Sequence, residues 1–207
     1  MNKKIVIIGG GGHARSVIDV IESTNQYEIV GIIEKENVDQ NLQTPYPVIG
    51  TDDDLLKFIS QGYFFAIGIG QIKTPTVRMK IFSRLKELNA KLPTIISPMA
   101  YVSHRAILGE GLIIHHGAIV NAGAKVGDNC IINSRALIEH DVFVGSHTQI
   151  STGAILNGHV KVGEGSFVGS GTVVKELVNI GKYVVITAGI FVRKNVEDNQ
   201  IVRIHDV

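Results

Sequence analysis

The chain has 207 residues, which is enough for one large domain or two small ones. Its 20 basic and 19 acidic residues give a net charge of +1, so nothing indicates bulk attraction to nucleic acid or to a membrane surface. The longest apolar runs are of strand length and no secretion leader is evident, so we expect neither membrane insertion nor a signal peptide. A single cysteine, Cys130, excludes an intrachain disulfide framework, and we expect a cytoplasmic protein.

Strands and helices alternate over residues 1–96, which predicts a small parallel α/β unit as the first domain. Its first strand runs into four consecutive glycines and then into an amphipathic helix. The second strand ends at Glu34. The predicted elements are, in chain order, strands over 3–8 and 27–33, a short helix from Thr51 or Asp52 to Ile59, a strand over 63–69, a helix over 75–88 and an extended segment over 91–96.

A sixfold repeat fills the second predicted domain, residues 97–207. A period of six fits neither a helix nor an ordinary strand, and it predicts the hexapeptide repeat of a parallel β-helix. Three units make one coil, so residues eighteen apart stack, as Ala122, His140 and Gly158 do. Gly or Asn follows many anchors directly, where we expect a turn with positive φ. The aliphatic anchors are Val102, Leu108, Ile114, Val120, Val126, Ile132, Ile138, Val144, Ile150, Leu156, Val162, Val168, Val174, Ile180, Ile186 and Val192.

The glycine-rich turn predicts an anion site, because backbone N–H groups gather there at a helix N-terminus. Gly9, Gly11 and Ala14 satisfy the dinucleotide pattern G-x-G-x-x-A, and Glu34 lies where a ribose-binding acid is expected. The unit is too short for two mononucleotide halves. A half-fold that holds the nucleotide of a larger substrate therefore fits better than an NAD site, and a purely structural turn is the alternative.

His140 is the candidate base of the repeat, since it lies beside a turn between Glu139 and Asp141. A carboxylate that accepts the Nδ1–H fixes the tautomer and raises the basicity of Nε2. Either acid can do this, and a solvated turn histidine is the alternative reading. Hexapeptide-repeat carbonic anhydrases bind zinc partly through two histidines five residues apart on one coil. No two histidines have that spacing here, so we expect no metal site.

Five motifs occur together in a fixed order: the segment 7–14, the residues Ala66-Ile67-Gly68 followed by Arg78, the pair Ser97-Pro98, and the segments 133–141 and 154–158. In combination, they resemble the bacterial sugar O- and N-acetyltransferases of the sialic-acid and amino-sugar type, including the nucleotide-linked 4-amino-sugar N-acetyltransferases. The resemblance covers nearly the whole chain and implies that the β-helix is left-handed.

The resemblance implies a role for each matching residue. His140 is the general base, and the acid that raises its basicity is Asp141 in preference to Glu139. The residues implied to bind the nucleotide sugar are Gly11, Gly12, His13, Glu34, Lys35, Gly68 and Asn133. Those implied to bind acetyl-CoA, in a groove between two β-helices, are Gln149, Gly158, Ser170 and Ala188. The family is trimeric, with active sites between subunits.

The implied reaction is acetyl transfer from acetyl-CoA to the amine of a UDP- or dTDP-linked 4-amino-4,6-dideoxy sugar, for cell-surface glycans such as O-antigen polysaccharide. Acetylation of a hydroxyl of sialic acid or a related sugar is the alternative within the family. A non-catalytic nucleotide-sugar-binding protein is the alternative from another class. Intact His140 with its flanking acids speaks against the latter.

Three positions depart from the family pattern. Gln149 replaces the usual histidine, and it can donate a hydrogen bond but cannot carry a proton. Glu34 and Lys35 replace paired acids, which leaves the base of the nucleotide open. The segment 189–192 stands where the family has Gly-x-Pro-Ala, so the CoA contacts of the tail, residues 200–207, are also open.

Overall fold

The computed structural model describes residues 3–35 and 44–204, and the last three residues of the tail lie outside them. The N-terminal unit has a parallel four-stranded sheet in the order β3-β2-β1-β4. No helix in these ranges is both long and apolar enough to cross a membrane. The elements of the unit are β1 (Lys3–Ile8), α1 (Gly12–Thr24), β2 (Tyr27–Ile33), β3 (Val48–Gly50), a 3₁₀ turn (Asp52–Asp54), α2 (Leu55–Ser60), β4 (Phe64–Ile67) and α3 (Thr76–Glu87).

Alternate residues of β1 face opposite layers of helices, as a strand buried on both faces requires. Ile5 and Ile7 pack with α1 on one face of the sheet. Val6 and Ile8 pack with α2 and α3 on the other. The predicted α/β unit is confirmed, and β3 is the one strand of this sheet that sequence analysis did not predict.

The second unit is the predicted left-handed parallel β-helix, whose two-residue strands form three sheets. Face A contains β5 (Ile95–Ile96), β8 (Ile113–Ile114), β11 (Ile131–Ile132), β14 (Gln149–Ile150), β17 (Phe167–Val168), β20 (Val185–Ile186) and β22 (Ile201–Val202). Face B contains β6 (Tyr101–Val102), β9 (Ile119–Val120), β12 (Leu137–Ile138), β15 (Ile155–Leu156), β18 (Val173–Val174) and β21 (Phe191–Val192). Face C contains β7 (Ile107–Leu108), β10 (Lys125–Val126), β13 (Phe143–Val144), β16 (Lys161–Val162) and β19 (Asn179–Ile180).

The second residue of each strand points into the prism, and most of these anchors are fully buried in one continuous apolar core. Strands pair with the strand one coil further on, as in Leu137 with Ile155. The three corners of the prism, named for the faces they join, are A/B, B/C and C/A. A residue's place in the sixfold repeat therefore fixes the corner or face on which it lies.

The turn prediction was wrong in its position. Positive φ occurs at the third residue after the anchor, as at Gly111 and Asn129, and not at the first. The glycines directly after the anchors serve close packing instead. A Cβ on Gly145 would lie 2.6 Å from the backbone nitrogen of Glu164 on the next coil. Glycine is needed there because adjacent coils approach too closely for a side chain.

The N-terminal unit docks on face A and the C/A corner through Arg78, which is fully buried on α3. Its Nη1 donates to the carbonyls of Ile67 and Ile69 at 2.9 Å, and its Nε donates to the carbonyl of Asn129 at 3.2 Å. Burial lowers the pKa of Arg78 to about 10, so the guanidinium remains charged at neutral pH. One side chain thus joins α3, the end of β4 and a β-helix turn.

Two histidines lie against each other in the same junction. The rings of His13 and His115 have centroids 5.5 Å apart. Burial lowers the pKa of His13 to about 3 and of His115 to about 4, and the charge of Arg78 contributes to both shifts. Among the described residues, neither Nε2 atom has a hydrogen-bond partner. Both rings are therefore neutral in the folded protein at physiological pH.

Arg78→Met should lower the free energy of unfolding by about 2–4 kcal/mol, because it leaves the carbonyls of Ile67, Ile69 and Asn129 without their charged donor. Urea unfolding measures the change. Lys80→Met is the matched control, since Lys80 is exposed on the same helix. Equal stability of the two variants would contradict this role for Arg78.

The two junction histidines should make the fold acid-labile. Their folded pKa values lie below the unfolded value of roughly 6.5, so the unfolded chain takes up protons as the pH falls below that value. The stabilisation is therefore complete above pH 6.5 and is lost as the pH falls, down to about pH 4 for His115 and about pH 3 for His13, by roughly 1.4 kcal/mol per pH unit for each ring. Urea midpoints at pH 7.5 and pH 5 measure this loss. His115→Leu should reduce the pH dependence and exposed His104→Leu should not; equal slopes in both variants would refute the assignment.

Candidate active site

His140 and Asp141 form a side-chain pair at the B/C corner. His140 Nδ1 lies 3.0 Å from Asp141 Oδ2. With the proton on Nδ1, His140 donates to Asp141 and its Nε2 is left as a base. That hydrogen bond is the main cause that lowers the pKa of Asp141. Both side chains are more than half exposed, so the pair is open to a substrate.

Glu139 makes different contacts. One of its carboxylate oxygens, Oε2, accepts hydrogen bonds from the backbone N–H of His140 at 3.2 Å and from Asn121 Nδ2 at 3.1 Å. These contacts hold the turn, whereas the imidazole ring is held by Asp141. Of the two flanking acids, Asp141 is therefore the one that contacts the imidazole of His140.

The imidazole lies next to Gly158 on the next coil. A Cβ at Gly158 would lie 2.7 Å from both Cε1 and Nε2 of His140, so glycine at this position permits the ring to stay where it is. Below the pair, a Cβ at Gly123 would overlap Oδ1 of Asp141. The stacking of eighteen-residue coils thus builds a slot around His140 and Asp141 from glycines that are distant in sequence.

The glycine-rich turn keeps backbone N–H groups at the start of α1. Gly11 and Gly12 are exposed, and a Cβ on either would meet no atom within 4 Å. Glu34 closes the turn from the side, since its Oε2 accepts from the N–H of Gly10 at 2.6 Å. A Cβ on Gly68 would lie 2.6 Å from the carbonyl of Gly9, so glycine is needed there for close packing of β4 on the turn.

The side chain of His13 faces the domain junction, against His115, and not the exposed side of the glycine-rich turn. Its backbone N–H remains at the start of α1, the kind of position at which helices in general can bind anions. Any contact of His13 with a phosphate therefore falls to its backbone.

A cavity of about 410 Å³ opens near the carboxyl end of β1, between the 3₁₀ turn and α3. Ile8 lines it, together with Lys35, Asp52, Lys80 and Arg84. Its volume lies in the usual range for small-molecule sites. Apolar surface beside charged groups of both signs suits a nucleoside, and Lys35 connects this cavity with the turn that Glu34 closes.

The remaining candidates lie on face A and the A/B corner. Gln149 is buried, and its Oε1 accepts from the backbone N–H of Gln71 at 3.0 Å. Ser170 and Ala188 are exposed, eighteen residues apart in one column of the A/B corner. Asn133 lies at the same corner, directly after β11. Within one chain, face B separates Asn133, Ser170 and Ala188 from His140, and Gln149 lies on the face opposite the corner of His140.

Sequence analysis missed two residues at the site. Gln71 ties the loop after β4 to the β-helix, since its Nε2 donates to the carbonyl of Ser166 at 3.1 Å. His159 lies directly above Asp141, with its Nε2 3.9 Å from Asp141 Oδ2. The eighteen-residue column contains the signal for His159, whereas a spacing rule for histidines within one coil does not include it.

His140, Asp141 and His159 also have metal-ligating atoms that all lie within 4.8 Å of one another. The five-residue spacing rule did not anticipate this group, because its members come from adjacent coils. All three side chains are exposed, and the contact between His140 and Asp141 is a hydrogen bond. We therefore treat the group as an acid–base cluster.

The comparisons with known proteins agree with this architecture. Residues 4–85 match the family model described as the PglD N-terminal domain. No functionally curated protein matches the sequence. A variant of the perosamine N-acetyltransferase from Caulobacter crescentus, in complex with CoA and GDP-perosamine, has 30% identity and a TM-score of 0.87 over 96% of this chain and 92% of that chain.

Two further structures are similar over nearly their whole length. The acetyltransferase domain of PglB from Neisseria gonorrhoeae has 30% identity and a TM-score of 0.88, over 97% of this chain and 96% of that chain. WeeI from Acinetobacter baumannii, with 22% identity and a TM-score of 0.81 over 97% of this chain and 96% of that chain, shares the fold. The chain therefore belongs to the bacterial hexapeptide-repeat sugar acetyltransferases, the family that its sequence motifs resemble.

Proposed function

We propose that this protein transfers the acetyl group of acetyl-CoA to the amine of a nucleotide-linked amino sugar, in the cytoplasm, for cell-surface glycan synthesis. The observation that carries the proposal is the contact of His140 Nδ1 with Asp141 at 3.0 Å, which leaves Nε2 as an exposed base. The half-fold with its glycine-rich turn supplies the nucleotide site. The similar Caulobacter enzyme binds CoA and GDP-perosamine, which supports an amine acceptor.

His140 carries the proton through the reaction. Its Nε2 removes a proton from the sugar amine as the amine nitrogen attacks the thioester carbon. The backbone N–H of Gly158, against the imidazole, is our assignment for the group that stabilises the oxyanion. When the carbon–sulfur bond breaks, the imidazolium returns the proton to the leaving thiolate. Cys130 takes no part, because it is buried in the core and burial raises the pKa of its thiol to about 12.

The nucleotide sugar and acetyl-CoA occupy different parts of the surface in this proposal. Gly11, Gly12 and the backbone of His13 hold the diphosphate, and the cavity beside Lys35 holds the nucleoside. Asn133 lies near the sugar. Acetyl-CoA runs along the A/B corner past Ser170 and Ala188, which are exposed in one column.

Gln149 reaches the thioester region from face A in this arrangement. Its Oε1 accepts from the Gln71 N–H at 3.0 Å, so the amide NH₂ is the group that remains to donate a hydrogen bond to a ligand. Gln149 does not carry a proton in this proposal, because an amide does not titrate.

Face B is our candidate for the contact between subunits of a trimer. Its outward row is apolar throughout, whereas the outward row of face C includes Lys125 and Lys161. Tyr101 and Phe191 at the two ends of the face B row are 58% and 43% exposed. An exposed apolar row of this length marks an interaction surface, and three prisms can pack it around a threefold axis. The face B row comprises Tyr101, Ile119, Leu137, Ile155, Val173 and Phe191.

This packing would also complete the active site. Face B of each chain has His140 at one edge and the acetyl-CoA corner at the other. Around a threefold axis, the B/C corner of one copy meets the A/B corner of the next. His140 of one subunit would thereby reach the acetyl-CoA and sugar held by its neighbour.

His140→Ala should lower kcat by about 10²–10⁴-fold, because such a base contributes about that factor. CoA release, measured with acetyl-CoA and a panel of UDP-, dTDP- and GDP-linked amino sugars and free sialic acid, tests the base and identifies the acceptor. His104→Ala is the matched control, since it lies in the same column two coils below and is exposed. Unchanged turnover in His140→Ala would remove His140 from this role.

Two inactive variants should restore activity when they are mixed in one trimer. Gly11→Asp places a negative charge at the phosphate site without steric overlap, since a Cβ there meets no atom within 4 Å. Random trimers of Gly11→Asp and His140→Ala should regain about a quarter of the wild-type rate, because in a cyclic trimer one site in four then combines two intact halves. The measurement is CoA release after co-expression. Mixed trimers without activity would show that both halves of each site come from one chain; Gly11→Asn is the neutral control.

A further inference from the structure

We propose that His159 is a positioning residue that lowers the basicity of His140 through their shared contact with Asp141. This inference rests on the proposed function, in which His140 is the general base. The family pattern that the sequence resembles assigns no role to His159. Its position follows from the stacking of coils, since Asp141 and His159 occupy equivalent places eighteen residues apart.

Asp141 Oδ2 lies between two imidazoles. His140 Nδ1 is 3.0 Å away and His159 Nε2 is 3.9 Å away from this one oxygen. The two rings are nearly perpendicular, at 89°, with centroids 5.2 Å apart. The backbone N–H of His159 donates to the carbonyl of His140 at 3.1 Å, which fixes the two residues relative to each other.

The other charged groups of this corner are directed elsewhere. Glu139 accepts from the backbone N–H of His140 and from Asn121. On the coil above, Lys175 and Glu176 pair with each other at 4.0 Å. Lys161 points outward on the adjoining face C. Asp141 is thus the acid that both imidazoles approach.

Whether it is neutral or protonated, His159 reduces the increase in basicity that Asp141 gives to His140. A neutral His159 with its proton on Nε2 directs that N–H dipole towards Oδ2 from 3.9 Å, beyond hydrogen-bond range, and so stabilises the carboxylate weakly. A protonated His159 also repels the imidazolium that forms on His140 when the amine loses its proton. Both effects have the same sign, so loss of the His159 ring makes His140 more basic.

The test is the pH profile of kcat/KM for His159→Leu. Its acid limb should move to higher pH by about half a unit, as expected for one charge about 5 Å away in a solvent-exposed setting. His159→Gln, which keeps a neutral donor, should recover part of the wild-type position. His104→Leu, in the same corner two coils below the base, should leave the profile unchanged.

A double-mutant cycle shows whether the effect passes through the carboxylate. In an Asp141→Asn background, His159→Leu should produce at most a small further shift. A full shift in that background would overturn the role of Asp141 as the link. An unmoved acid limb in the single variant His159→Leu would overturn the proposal itself.

A second measurement does not depend on turnover. The NMR signal of the His140 ring, titrated in the intact protein, should have a higher midpoint in His159→Leu than in the wild type. A moved midpoint supports the coupling even when no acceptor of the panel is acetylated, and an equal midpoint refutes it. Failure of the proposed function appears separately, as unchanged turnover in His140→Ala.

Discussion

The close stacking of coils is the constraint on which the rest of this molecule depends. Apart from the last coil, where β20 pairs with β22 sixteen residues later, each two-residue strand pairs with the strand eighteen residues later, so a corner residue lies directly above its equivalent on the coil below. Glycines such as Gly145 permit this approach, because a Cβ there would lie 2.6 Å from the backbone of the next coil. The same spacing builds the site: His140 rests on Gly158, and Asp141 lies between Gly123 and His159. The contacts of the candidate site therefore form mainly between residues stacked on adjacent coils and less between neighbours in sequence.

The N-terminal unit makes the three faces of the β-helix unequal, because it packs against one of them. Arg78 and the two junction histidines bind the unit to the β-helix, and the unit contacts face A and both corners that adjoin it. Ile113 of face A is buried in the same cluster as α1. The outward row of face B keeps its apolar side chains accessible. Docking on face A therefore leaves face B uncovered, as the proposed trimer requires.

Local patterns predicted most of the fold, and their failures have physical causes. The aliphatic spacing is sufficient for the β-helix, since it sets which side chains enter the core. β3 was missed because its three residues, next to Pro47, are too short to show a period. The position of the turn was predicted wrongly because a glycine after an anchor reflects close contact between adjacent coils. The sequence of one strand does not show that contact. The burial of His13 depends on how two units dock, and no local pattern encodes that.

The site illustrates the same limit more sharply. Its residue types and corner were predictable, but the choice between Asp141 and Glu139 required side-chain geometry, and His159 required comparison across coils. The separation of His140 from Ser170 by face B matters most. A general base acts only within hydrogen-bond reach of its proton, and a rigid prism does not fold one corner onto another. If the base and the acetyl-CoA groove serve one reaction, a second copy has to bring them together. The apolar face B and the catalytic proposal then support each other, since the surface that would hold the copies together is the one that would join the two halves of the site.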